Sequence, residues 1–218
     1  MGRHALTHRI WLPLAILLAF AGCQQPLAPP DAPQAPGVVT SLSPSSMDTH
    51  VLRQASTAPG LETYQVSFWA HKGEASTVKV SYQSVAPGEE RQAFLRFDIP
   101  SRGLRAGAQG VPLKRGDSVY VTVTIDPVRF VVDFQPSGVV FSKAFPATLT
   151  LWYENANSDL NGDGVVDATD RRLQERLGIW YHAVAKDRWV ESKHSDNDEA
   201  VRSVSSSLYH FSEYALSW

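Results

Sequence analysis

The sequence predicts a mostly β protein, an antiparallel β-sandwich with one short loop-helix insertion. Three observations predict it. Apolar and polar residues alternate over many short runs, β-branched and aromatic residues dominate those runs, and turns containing Pro or Gly separate them. One stretch alone, Ala168 to Gly178, takes a helical spacing instead. At 218 residues, 43% hydrophobic and 19% charged, the chain can bury one good core.

The chain begins with Arg3 and Arg9 ahead of an apolar run from Ile10 to Gly22. A positive segment followed by an apolar one is the pattern of an export signal, and this run is too short to cross a bilayer comfortably. Residues 1–22 are therefore expected to be removed. They carry two basic residues and no acidic one, so the formal net charge moves from -2 to -4. Neither the 20 Lys and Arg nor their scattered placement offers a surface for nucleic acid, and no nucleic-acid partner is expected.

Cys23, the single cysteine, follows Phe20, Ala21 and Gly22 at the end of the apolar run. A lone cysteine forms no internal disulfide, so the exported domain must fold without one. Residues 23–46 hold Pro26, Pro29, Pro30, Pro33, Pro36 and Pro44 among Gln, Ala and Ser. Proline keeps such a stretch extended, which predicts a tether between an anchor and the domain spanning 47–218.

Within that domain Tyr64, Val66 and Phe68 alternate with Gln65 and Ser67, and Val78, Val80 and Tyr82 with Thr77, Lys79 and Ser81. Ala93, Leu95 and Phe97 form a third run that stops at Pro100. The clearest is Val119, Val121, Val123 and Ile125 against Tyr120, Thr122 and Thr124, because branched side chains suit a pleated surface. Phe130, Val132 and Phe134 continue the pattern, and Leu149, Leu151 and Tyr153 repeat it. Further strands are expected at Ile179 to Val184, Arg188 to Glu191 and Leu208 to Leu216. Between these, Leu173 and Leu177 lie four apart, and Gly178 is expected to end the helix in a left-handed conformation.

Ahead of the helix stands Asp159-Leu-Asn161-Gly-Asp163-Gly164-Val165-Val-Asp167-Ala-Thr-Asp170. Oxygen side chains at positions one, three and five, glycine at six and a carboxylate at twelve match the spacing of a calcium loop. The expected Ca2+ ligands are the side chains of Asp159, Asn161 and Asp163, the carbonyl of Val165, Asp167 directly or through water, and Asp170 as the closing residue. Four carboxylates so close together repel one another, a repulsion that a cation relieves. The competing reading is a turn in which Asp and Asn accept backbone N–H groups and cap the helix with no metal. The closing Asp and the preceding strand resemble the EF-hand-like loop-helix of dockerins. A dockerin has two such units and this chain has one, while Asp196-Asn197-Asp198-Glu199 lacks the glycine and the spacing. Cohesin binding is not expected.

Residues 20–23 resemble the lipobox of bacterial lipoproteins, which implies a diacylglyceryl group on the Cys23 thiol and a membrane held through it. Gln24 in place of Asp implies, by the same resemblance, the outer membrane in a two-membrane cell. The segments Gly138 to Phe141, Phe145 to Leu151, Gly178 to Tyr181, Arg188 to Val190 and Tyr209 to Leu216 resemble the ZU-type β-sandwich of ankyrins and netrin receptors. Some relatives of that fold cut themselves within a His-Phe-Ser motif, which His210, Phe211 and Ser212 match. The resemblance implies Ser212 Oγ attacking the carbonyl of Phe211 with help from His210. Strict alternation implies instead that Phe211 packs inward and its neighbours face outward.

No His-Glu-x-x-His, Gly-x-Ser-x-Gly or phosphate-loop motif occurs. His71, His182 and His194 are mutually isolated in sequence. Trp69, Trp152, Trp180, Trp189 and Trp218 could line a glycan-binding face or fill the core. The reading is a non-enzymatic, lipid-anchored protein of the cell envelope, outside the cytoplasm, with an envelope protein or a glycan as partner.

Overall fold

The computed structural model describes residues 50–84, 88, 90–183 and 188–218. The export signal at 1–22, Cys23 and the tether at 23–46 lie outside the described residues. In chain order the strands are β1 (Gln65–His71), β2 (Ser76–Ser81), β3 (Ala93–Ile99), β4 (Leu104–Ala106), β5 (Ser118–Asp126), β6 (Val131–Gln135), β7 (Val140–Phe141) and β8 (Ala147–Trp152). Helix α1 (Ala168–Gln174) follows, then β9 (Gly178–Ala183), β10 (Arg188–Glu191), β11 (Ser195–Asp198), β12 (Ser203–Leu208) and β13 (Glu213–Ser217).

The protein is mostly β, with antiparallel sheets. One sheet has the order β1-β5-β6-β13-β9-β10, a second β11-β12-β8-β3-β2, and β4 pairs with β7. Alternation in β5 sorts its two faces as its sequence requires: Val119, Val121, Val123 and Ile125 are buried while Tyr120 is exposed. Inward residues of both large sheets share one core. Phe97 of β3 and Phe134 of β6 touch with ring centroids 4.6 Å apart, and Phe94 meets Phe130 at 5.4 Å. Two antiparallel sheets joined by an aromatic core are consistent with a β-sandwich.

Several local expectations are corrected. Leu208 to Leu216 is two strands, since β12 ends at Leu208 and β13 begins at Glu213. Tyr64 precedes β1 and is exposed, so the inward face of that strand is Val66, Phe68 and Ala70. Helix α1 is short and caps at Glu175. Gly178 adopts no left-handed conformation but opens β9, paired with Ser217, because Leu177 and Ile179 on either side are drawn into the core.

The first described residues are sewn to distant parts of the chain. Leu52 N donates to Leu216 O at 2.9 Å, and Ser217 Oγ donates to His50 O at 2.9 Å. Asn157 N donates to Arg53 O at 2.8 Å, so the same segment also fixes the approach to the loop before α1.

Candidate functional site

The chain leaves β8 through Tyr153, which is buried and donates its hydroxyl to Asn197 Oδ1 at 3.0 Å. Asn157 then accepts Asp159 N at 3.2 Å, and the loop begins. Asp159 spreads its carboxylate over two glycine amides, accepting Gly162 N at 2.8 Å on one oxygen and Gly164 N at 2.9 Å on the other. The chain can curl this tightly because both glycines have positive φ, 75° and 87°, a region costly for any residue with a Cβ. Asn161 Oδ1 accepts Asp163 N at 2.9 Å and Asp163 Oδ1 accepts Val165 N at 2.8 Å, while Asn161 Nδ2 donates to Asp163 Oδ2 at 2.8 Å.

Asp170 closes the loop. Its Oδ1 accepts Leu160 N at 2.8 Å and Asn161 N at 3.2 Å, and its Oδ2 accepts Asp167 N at 2.9 Å. Asp167 Oδ1 accepts Thr169 N at 2.6 Å, which completes a reciprocal capping box at the start of α1. Asp170 is only 2% exposed. The Asp167 amide holds its carboxyl below the usual carboxylate range, burial pulls the other way, and the Asn161 and Leu160 amides add to the lowering.

All six expected metal ligands thus lie in one closed loop, and its hydrogen bonds are those of the competing reading, a turn whose carboxylates accept backbone N–H groups and cap the helix. The four carboxylates are each met by backbone N–H donors, so their repulsion is relieved by the chain itself. Among the described residues no group of three or more His, Cys, Asp or Glu side chains converges to hold a metal ion. The donor set nonetheless suits a hard cation. It is all oxygen, and a carboxylate oxygen that accepts one N–H keeps a second acceptor direction. Val165, whose carbonyl would join the set, is 60% exposed.

At the His-Phe-Ser motif, Phe211 packs against Phe134 and Phe141, each with centroids 5.2 Å away. Ser212 does not face outward as alternation implied. It is buried, and its hydroxyl donates to His182 O at 2.7 Å because residues 209–212 lie between strands rather than within one. Phe211 O accepts Gly138 N at 3.1 Å and stands 3.4 Å from His210 Nδ1. The positive-φ residues other than glycine among those described are Phe130 and Arg202, remote from this bond in sequence.

The tryptophans separate. Trp69 is 57% exposed and lies beside the exposed Tyr120, with ring centroids 5.0 Å apart. Trp152, Trp180, Trp189 and Trp218 are half-buried. Trp189 covers Val51, Val131 and Ala215, and Trp218 packs on the main core and against His50.

Sequence reasoning missed two asparagines that position the loop-helix. Asn157 orients the entry to the loop, and Asn197 of β11 donates to Gln174 O at 2.8 Å, fixing the far end of α1. An Asn two residues before the first loop carboxylate is a weak signal for the former, and none marks the latter. No protein-family model, curated protein or solved structure matches this chain.

Proposed function

We propose that this chain is a lipid-anchored, β-rich protein of the cell envelope, exported from the cytoplasm, that binds one Ca2+ in the Asp159–Asp170 loop and serves a binding or structural role. The observation that carries the calcium part is the closure of the twelve-residue loop by Asp170. That carboxylate accepts the amides of residues 160, 161 and 167 and so closes the bend that carries Asp159, Asn161 and Asp163. When bound, calcium supplies a divalent charge that several oxygens share. The protein's own residues do the rest. Asp159 and Asp163 order the turn through amides, Asp170 ties it to α1, and Asn157 ties it to Arg53.

The anchor is supported by Arg3, Arg9, the apolar run and Cys23, and the proline-rich stretch after it supports a standoff from the bilayer. A single acyl-bearing residue decides the location, so Cys23→Ala moves the protein from the membrane pellet to the soluble fraction on ultracentrifugation. Retention of the variant in the pellet overturns the anchor. The calcium part is tested separately, by thermal unfolding with calcium and with chelator on wild type and Asp159→Ala.

A further inference from the structure

Pairing across β1, β5 and β6 sets outward side chains in rows. Trp69 faces Tyr120 across β1 and β5, 57% and 51% exposed. One step along, Ser67 faces Thr122, their hydroxyls hydrogen-bonded at 3.0 Å, and Thr122 faces the exposed Gln135. The Gln135 carboxamide is held in one orientation, its Nε2 donating to Asp133 at 3.0 and 3.1 Å and its Oε1 accepting Ser137 N at 3.1 Å. Beyond Gln135 in register Asp133 stands opposite Glu213, with the Asp126–Arg129 ion pair and His182 acting on Glu213, and on the other side of the rings His71 faces Ser118.

From this arrangement we infer that the outer face of the six-stranded sheet, at its β1 edge, docks a neutral polysaccharide chain. A sugar ring has an apolar C–H face and a rim of hydroxyls. Two adjacent aromatic rings offer the electron-rich surface that such C–H groups favour, and a hydroxyl pair and an oriented carboxamide one row away match the rim. The exposed large apolar side chains on these rows are Trp69 and Tyr120, whereas a stable protein interface has an apolar centre and covers about 800 Å² on each partner. Charge selects within the sugars. Asp126, Asp133 and Glu213 outnumber Arg129 there, so the face disfavours a chain bearing uronate or phosphate and leaves an uncharged one unpenalised. The two rings stand at the edge of the sheet, since β1 is its first strand. The inference rests on the binding role proposed above and names its partner.

Native gel electrophoresis of the purified protein in gels cast with hydroxyethylcellulose, galactomannan, soluble starch or polygalacturonate tests it. At least one of the three neutral polymers retards the wild type and polygalacturonate does not. Trp69→Ala and Tyr120→Ala each weaken that retardation by about tenfold or more, while their unfolding midpoints stay near wild type because both side chains are exposed. Asp159→Ala keeps full retardation, so a failed calcium reading and a failed glycan reading are told apart. Four results overturn the inference: no retardation by any neutral polymer, retardation that survives both aromatic substitutions, preference for polygalacturonate, or a dimer in sedimentation that Trp69→Ala dissociates with no effect of any polymer.

Discussion

Asp159 is where the calcium reading is most exposed to refutation. Each of its oxygens accepts one glycine amide, at 2.8 and 2.9 Å, leaving a second acceptor direction on each for a cation. Sites in extracellular modules dissociate at about 0.1–1 mM, so about 10 mM calcium on a site of about 1 mM stabilises the fold by about 1.4 kcal/mol. For a domain of this size that is roughly 3–6 °C in the unfolding midpoint. Asp159→Ala strips the acceptor from two amides on an exposed loop, and because water replaces it the intrinsic loss is about 0.5–1 kcal/mol. Wild type and variant therefore differ by about 1 kcal/mol in chelator and by about 2 kcal/mol or more in calcium. Thermal unfolding followed by circular dichroism reads all four values, with magnesium as a control, since its strict octahedral demand makes it a poorer fit to a flexible loop. A wild-type midpoint that is the same in chelator and calcium, or a variant that keeps the calcium response, refutes the reasoning.

Three further outcomes follow from buried and half-buried groups. Burial, and after it Asp133, raises the pKa of Glu213, with His182 and Arg129 acting the other way, so the folded state binds its proton more readily than the unfolded chain. The stability this confers is full at acid pH and is lost as pH rises through the raised pKa, so Glu213→Gln unfolds at a higher midpoint than wild type near pH 7, and the gap closes near pH 4. A wild type more stable than the variant at neutral pH contradicts this. At the neighbouring motif, Phe211→Ala removes a ring packed between two others and lowers stability by about 3–5 kcal/mol in urea unfolding. Ser212→Ala loses one hydrogen bond, about 1 kcal/mol, and leaves the intact mass of an aged sample as undivided as that of the wild type. A wild-type fragment beginning at Ser212 contradicts the third outcome.

The strands that could be read from the sequence are those whose two faces meet different surroundings. Val119 to Ile125 announces itself because every second residue enters the core. By contrast β12 buries Ser203 and Ser206, and β11 is built of Ser, Asp, Asn and Asp, so neither carries apolar periodicity, and β12 exists because β8 offers it an edge, β11 because β12 does. Strands β4 and β7 are too short for any period to show. The spacing from Asp159 to Asp170 foretold a closed loop and the start of α1, since local hydrogen bonds follow local sequence. It left open whether amides or a cation would satisfy the carboxylates, and it did not foretell that Arg53 would brace the loop and Asn197 the end of α1 from afar, because spacing counts side chains and says nothing of where donors arrive in space.

The position of β13 has a consequence for synthesis. It sits between β6 and β9 in the six-stranded sheet, contributing Tyr214, Ala215 and Leu216 to the interior, yet it is translated after every strand it joins. Until residues near 217 have emerged from the ribosome, the two halves of that sheet have nothing to bridge them, and premature collapse is incomplete. Such long-range closure is slow, so the six-stranded sheet is completed only after the other described strands have been made.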